Sequence, residues 1–257
     1  MRTMQLESRA GSMTVDKAID LLEEIAAAPE GARNLDVARG VGLDKSTSHR
    51  LLSTLERRGF VHRDPHTKRF VLGPRLLQLA TGSAISSTLL ARPFLYELVA
   101  STGESASLSL LVDRTYVCVD AVQAPHEIRF ALDLGRPYPL NAGATGKVLL
   151  AFNARAEQRM LAGELPKYAP NTIVSPDELA AQLDEIRRTG VAGSEGERVA
   201  GGCSIAAPVT GSDGQAVAAI AVSSVGARLD LPALRKHVGR IRTLAAELSE
   251  VLTSSGN

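Results

Sequence analysis

The sequence predicts an α+β protein in two parts. The first is an N-terminal winged helix-turn-helix of three helices and a β-hairpin. The second, beyond a linker helix, is a domain with a central antiparallel sheet. Three stretches carry the prediction. Residues 43–72 run from a leucine-faced helix through a glycine stop into a basic, turn-centred hairpin. Residues 105–140 change from helical spacing to alternation of period two. Residues 231–252 close the chain as one long amphipathic helix. A chain of 257 residues, 44% hydrophobic and 22% charged, is long enough for two such domains.

Residues 14–28 set Val15, Ala18, Ile19, Leu22, Ile25 and Ala26 along one helical face, and Pro29-Glu30-Gly31 ends the run. Residues 34–41 form a second helix with Leu35, Val37, Ala38 and Val41 inward, and Gly42 turns the chain. A third helix starts after Asp44, with Asp44 or Ser46 as its cap. Ser48, Leu51, Leu52 and Leu55 share its buried face. Opposite lie Ser46, Arg50, Ser53 and Arg57, flanked by His49 and Thr54, with Lys45 and Thr47 in the first turn. Hydroxyls near a helix N-terminus, with an arginine one turn on, suit phosphates and base edges. Gly59 stops this helix. Phe60-Val61 and Phe70-Val71-Leu72 then pair around an Asp64-Pro65-His66 turn.

Between Lys45 and Arg69 the cations are Lys45, Arg50, Arg57, Arg58, Arg63, Lys68 and Arg69, against Glu56 and Asp64 alone. The whole chain carries only +1, so this excess is local and suits double-stranded DNA, with Arg63, Lys68 and Arg69 on phosphates. A solvated surface helix and hairpin is the plain alternative. The expected divisions are a disordered lead-in at 1–12, the DNA-binding domain at 13–74, a linker helix at 75–102 and the C-terminal domain at 103–257.

The linker reads as helix over 74–102, interrupted at Gly82 and Pro93. Strands follow at 105–110 and 116–121, with a third at Glu127–Leu132 that Gly135-Arg136-Pro137 ends. A loop of small residues, Leu140 to Gly143, leads into a helix from about Thr145. Helices at 154–162 and 176–189 precede apolar strands at 203–210 and 215–224. Pro208 implies that its strand has a free edge or a bulge there.

Four stretches, in order, resemble the IclR family of bacterial transcription regulators: LDKSTSHRLLSTLERRGFV, PLNAGATGKVLLA, IRRTGVAGSEGE and SIAAPVTGSDGQAVAAIAVS. The resemblance spans roughly residues 14–253. It implies a winged helix-turn-helix on a GAF-like effector-binding domain, a homo-oligomer (dimer or tetramer), an operator DNA and a small-molecule effector. Some members repress and others activate; repression is the expectation here.

By the same resemblance the effector pocket takes backbone contacts from Ala144, Thr145 and Gly146. Ser194 stands where some members carry an acid. Ser204 stands where many carry cysteine, one residue after Cys203, and Ser223 with Ala221 at two hydroxyl positions. With Ile128, Phe130 and Leu132 as an apolar wall, this pocket is expected to take a less polar ligand than glyoxylate-like acids, such as an aromatic or amide-type acid. Ser48, where relatives often carry Val, is expected to cost packing.

Other chemistries fit less well. Gly143-Ala144-Thr145-Gly146-Lys147 has too short a spacing and the wrong following residue for a phosphate loop. Cys203 as a nucleophile or redox sensor, the rival enzyme reading, needs a base, and neither His126 nor His237 has a catalytic setting. His62 and His66 straddle a proline in a hairpin, a poor metal site. No cofactor is implied. Glu195 and Glu197 read as an exposed loop or a ligand lid. Two cysteines, no signal-peptide core and no membrane-length apolar run fit a cytoplasmic protein.

Overall fold

A computed structural model describes residues 12–80 and 85–254, and the chain divides into two compact units that change at Ile85/Ser86. The first unit holds α1 (Met13–Ala26), α2 (Asn34–Val41), α3 (Lys45–Arg57), β1 (Val61–Arg63), β2 (Phe70–Leu72) and α4 (Pro74–Ala80). β1 and β2 pair antiparallel, with Val61 opposite Leu72. The core of this unit is Leu21, Ile25, Val37, Val41, Leu52, Val61 and Phe70.

The α1 stripe differs from expectation. Val15 and Ile19 are exposed, and Leu21 with Ile25 forms the buried pair. A 14-residue helix is about 21 Å long and its eight-residue partner α2 about 12 Å, so the first turns of α1 reach past the core. Leu35, in the first turn of α2, is exposed as well. Ser48 is fully buried as placed, but its hydroxyl donates to Asn34 Oδ1 at 2.7 Å, and Asn34 Nδ2 donates to the Lys45 carbonyl at 3.2 Å. The polar side chain thus ties α2 to α3, which offsets the apolar contact a valine would bring.

The second unit contains most of α5 (Ile85–Thr102), then β3 (Ser105–Val112), β4 (Thr115–Val122), β5 (Pro137–Pro139), α6 (Ala144–Ala151), α7 (Ala154–Leu161) and α8 (Pro176–Thr189). β6 (Ala192–Glu195), β7 (Gly202–Thr210), β8 (Ala216–Val225), α9 (Leu231–Leu234) and α10 (Val238–Ser254) complete it. The six strands form one antiparallel sheet in the order β5-β4-β3-β8-β7-β6. One face packs Tyr116, Cys118, Ala206 and Ala221 against α6 and α8 through Val148, Leu149, Leu179 and Leu183. The other packs Leu108, Ile205, Ile220 and Val222 against α5 and α10 through Leu95, Leu98, Ile241 and Leu248.

Several elements correct the expectation. Glu127–Leu132 alternates like a strand but forms none. The outer edge of β4 is taken by β5, a three-residue strand with two prolines that alternation does not reveal. The loop's backbone is held by side chains instead: Arg228 Nη1 donates to the Ile128 carbonyl at 2.7 Å, and Asp133 N donates to Tyr138 Oη at 2.8 Å. α5 continues through Pro93 with the loss of one helical hydrogen bond. The break expected at Gly82 and the lead-in through residue 11 lie outside the described residues. The closing helix is divided by a tighter turn at Arg235–His237, after which Leu244 joins the buried stripe. Pro208 behaves as expected: β6 stops opposite Ala206, so the outer side of β7 is unpaired at Pro208.

A β-bulge sets one side chain apart. Leu108 pairs with Asp120 and Ser109 with Cys118, so Val119 is an extra residue in β4. The shift turns Asp120 to the α5 side of the sheet, where Arg92 Nη1 meets its Oδ1 at 2.6 Å.

Gly146 is fixed by packing, since a Cβ there would sit 2.4 Å from the Leu140 carbonyl oxygen. Gly239, inside α10, has open space around it. Gly146→Ala is therefore expected to destabilise the protein by about 1–3 kcal/mol, and Gly239→Ala to be neutral or stabilising by up to about 1 kcal/mol. Urea unfolding of the two variants checks the contrast.

Candidate functional site

The first candidate surface is the outer face of α3. Asp44 caps the helix: its Oδ1 accepts from Ser46 N and Thr47 N at 2.9 Å each and from Ser46 Oγ at 2.5 Å. These bonds, the Ser46 side-chain one first, hold the Asp44 carboxyl well below the usual carboxylate range. Of the two capping candidates the aspartate is the cap, and Ser46 is drawn against it. Lys45, Ser46, His49, Arg50, Ser53 and Arg57 are exposed, and Thr47 is half-buried. Ser53 Oγ and His49 Nδ1 lie 3.5 Å apart.

In the hairpin, Asp64 Oδ1 accepts from Thr67 N at 2.7 Å and His66 N at 2.8 Å, and these backbone bonds lower its pKa. Lys68 takes a left-handed backbone, φ 59°, at the exposed tip. Arg63 lies over the Phe70 ring, 5.6 Å from its centroid, and Arg69 Nη1 donates to the Gly31 carbonyl at 2.8 Å. The three wing cations thus differ: two are braced against their own domain, and Lys68 projects from the turn.

The second candidate is a small pocket of about 20 Å³ between the sheet and the start of α6. Of the residues expected there, Phe130, Ala144, Thr145, Ser194, Cys203, Ser204 and Ser223 line it, with Leu132. Ile128 does not: it is 74% exposed. Gly146 is not part of the lining either, since it packs on Leu140. Tyr116, Gly143, Arg198, Val199 and Gly202 join the lining without any signal in the sequence. A smaller adjoining pocket, about 10 Å³, shares Phe130, Leu132 and Ser223 and adds Ser105, Ser107 and Ala121 from β3 and β4. The Arg198 guanidinium lies 4.8 Å from the Tyr138 ring centroid and 5.2 Å from that of Phe130. Burial pushes the Tyr116 phenol up to about 12, although Arg198 pulls the other way, so it is neutral at physiological pH.

Beneath the cavity lies a buried ion pair. Lys147, with its side chain 1% exposed, donates through Nζ to Glu197 Oε1 at 2.5 Å and to Gln182 Oε1 and the Gly193 carbonyl at 2.9 Å each. Glu197 Oε2 accepts from Gly143 N at 3.0 Å. Burial lowers the Lys147 pKa, against the pull of Glu197. Glu197 therefore belongs neither to an exposed loop nor to a lid. It fastens the β6–β7 connection to the first turn of α6. Only Glu195 meets the exposed-side reading, and it sits on edge strand β6.

The thiols are not activated. On β7, alternation puts Cys203 on the face of Ile205 and Ala207, away from Ser204, and its Sγ lies 3.1 Å from where a Cβ on Gly226 would stand. Burial raises its pKa, and raises that of Cys118 to about 11. A protonated thiol lacks the thiolate that a nucleophile or redox sensor uses. No group of potential metal ligands occurs among the described residues, and no described helix is long and apolar enough to cross a membrane.

Comparison with known proteins matches residues 14–65 to the profile described as the IclR helix-turn-helix domain, and residues 84–250 to that of the bacterial transcriptional regulator IclR C-terminal domain. The chain is 32% identical to the glycerol operon regulatory protein of Streptomyces coelicolor, over 84% of this chain and 86% of that one. It is 28% identical to the transcriptional repressor IclR of Escherichia coli, over 84% and 81%. The crystal structure of the Thermotoga maritima IclR superposes with a TM-score of 0.77 at 26% identity, covering 93% of this chain and 98% of that one.

Removing either partner of the Lys147–Glu197 pair strands a buried charge. Lys147→Met and Glu197→Gln are each expected to cost about 3–5 kcal/mol, and the double variant less than their sum. Urea unfolding of the three variants measures the coupling; strictly additive losses would deny it.

Proposed function

The chain belongs to the IclR family of bacterial transcription regulators, with a helix-turn-helix DNA-binding domain and a C-terminal effector domain, and from that premise we propose that it is a repressor released by a small organic acid. One observation carries the DNA half: a capped helix whose exposed face bears Ser46 and Arg50, with the half-buried Thr47 beside them, next to a basic hairpin. In a helix-turn-helix the second helix of the pair enters the major groove by its N-terminal part. On that geometry α3 reads base edges through Arg50, with Ser46 and Thr47 near the backbone. Lys45, His49, Ser53 and Arg57 flank it on phosphates, and Lys68 is the wing's main phosphate contact, with Arg63 and Arg69 beside it. A homo-oligomer, dimer or tetramer, presents such helices in pairs to operator half-sites.

For the C-terminal half, the effector occupies the cavity lined by Phe130, Thr145, Ser194, Ser204 and Ser223. Residues 75–102 connect the two functions. Binding changes DNA affinity only insofar as the ligand prefers one arrangement of the oligomer over another. The name of the Escherichia coli relative supports repression as the output. Names among the relatives do not select the ligand, since they include a glycerol operon regulator; the serines and rings of the cavity lining support an organic acid.

Two substitutions test the DNA face. Arg50→Ala is expected to weaken specific binding by about 1–3 kcal/mol while leaving random DNA little affected. Lys68→Ala is expected to weaken all sequences alike and to flatten the log–log salt slope by about 1. Anisotropy titrations at several salt concentrations, on DNA upstream of the gene and on scrambled DNA, measure both. Equal losses on both DNAs for Arg50→Ala would remove its base-reading role.

A further inference from the structure

We infer that Arg198 is the charge-reading residue of the cavity and selects a flat, ring-bearing monocarboxylate. This rests on the reading of the cavity as the effector site and adds to it the class of ligand and the residue that sets it.

Arg198 lines the cavity, and the contacts of its guanidinium among the described residues are the rings of Phe130 and Tyr138. No carboxylate there is available to it. The nearest in sequence, Glu197, has one oxygen on Lys147 and the other on Gly143 N. The buried pair is therefore neutral within itself, the Tyr116 phenol stays protonated, and Arg198 leaves the cavity with a net positive charge. A cation held between two ring faces keeps its in-plane N–H groups for a ligand, and a carboxylate matches that fork.

Ser194 is 4% exposed and Ser223 8%, both line the cavity, and neither hydroxyl has a hydrogen-bond partner among the described residues. Buried hydroxyls normally find partners. The first turn of α6 adds the N–H group of Thr145, which has no acceptor within its own helix. Donors on one side and a guanidinium on the other favour an anion over a neutral polyol.

The floor is sheet, and its residues are small: Ser204, Ser223, Ser105, Ser107 and Ala121 lie on β7, β8, β3 and β4. A floor of serine and alanine is flat. Tyr116 rises from the same face of the sheet at β4, and Phe130 and Leu132 come from the loop that follows. Small sheet residues beside the rings of Tyr116 and Phe130 offer an aromatic ring its stacking surfaces, and the adjoining pocket continues them along the sheet. One cation gives one carboxylate its partner; a dianion would leave a charge unmatched in a buried site.

The test uses the intact protein and three probes: benzoate, its neutral isostere benzamide, and glycerol 3-phosphate. Calorimetric titration of wild type is expected to show benzoate bound at least tenfold more tightly than either of the others. Arg198→Gln is expected to lose at least tenfold for benzoate with benzamide unchanged, so that the preference collapses, and Arg198→Lys to retain part of it. Ser223→Phe, which fills the pocket, is expected to lose both ring ligands; Ala121→Leu takes its place if that variant does not fold. If Arg198→Gln keeps the benzoate-to-benzamide ratio while the filling variant loses binding, the cavity stands as the effector site and the role of Arg198 falls. If the filling variants bind benzoate normally, the cavity reading itself falls. Preference for glycerol 3-phosphate over benzoate, or no binding of benzoate at all, overturns the ligand class.

Discussion

The buried Lys147–Glu197 pair is the contact on which the effector domain's candidate site depends. Two charges taken out of water are costly, and they persist only where every remaining hydrogen-bonding group is met. Here Lys147 meets Glu197, Gln182 and the Gly193 carbonyl, and the second oxygen of Glu197 meets Gly143 N. The acceptors come from α8, β6 and the turn after it, so one ammonium joins elements that the chain order keeps apart. The pair holds the N-terminus of α6 against the sheet, with Gly146 close on Leu140, and leaves the next residue, Arg198, directed to the cavity rings. An apolar pair of similar volume could fill the same space. It would not fix the α6 N–H groups and the 196–201 turn in one register.

A second polar anchor lies on the opposite face of the sheet. The β4 bulge turns Asp120 toward α5, where Arg92 bridges to Oδ1, which also accepts from Ala121 N at 2.9 Å. Asp120 Oδ2 has no partner among the described residues, and neither has Ser109 Oγ in the same part of the sheet. Unmet buried groups of this kind are energetically poised, because a small shift can satisfy or expose them. Since β3 and β4 carry Ser107 and Ala121 beside the cavity on one face and Asp120 against α5 on the other, the two strands join the candidate ligand site to the helix that begins the unit.

The parts of the fold legible in the sequence are those with local causes. Leucine spacing, a capping aspartate and a basic hairpin define the α3 face from the sequence alone, because each depends on residues close together in the chain. The period-two runs locate β3, β4, β7 and β8 for the same reason. Ile128 is misplaced by sequence reasoning because alternation over 127–132 cannot report that β5 already occupies the strand edge. The Val15 and Ile19 stripe fails because helical spacing says which residues share a face, not how far the neighbouring helix extends. The Lys147–Glu197 pair escapes such reasoning because its partners are 50 residues apart, and a lysine after Gly146 resembles a failed phosphate loop. Arg198 escapes it because one arginine in a glycine-rich turn gives no signal until Phe130 and Tyr138 are brought to it.

The central claim is that occupancy of this cavity controls the grip of the α3 face on DNA. Its most direct measurement is the affinity of the intact protein for DNA upstream of its own gene, at one fixed salt concentration, across a titration of benzoate. The account predicts that affinity falls by about 5–150-fold at saturation, the range of ordinary allosteric coupling, and that bound DNA weakens benzoate binding by the same factor. Benzoate that binds fully while leaving DNA affinity unchanged would contradict it.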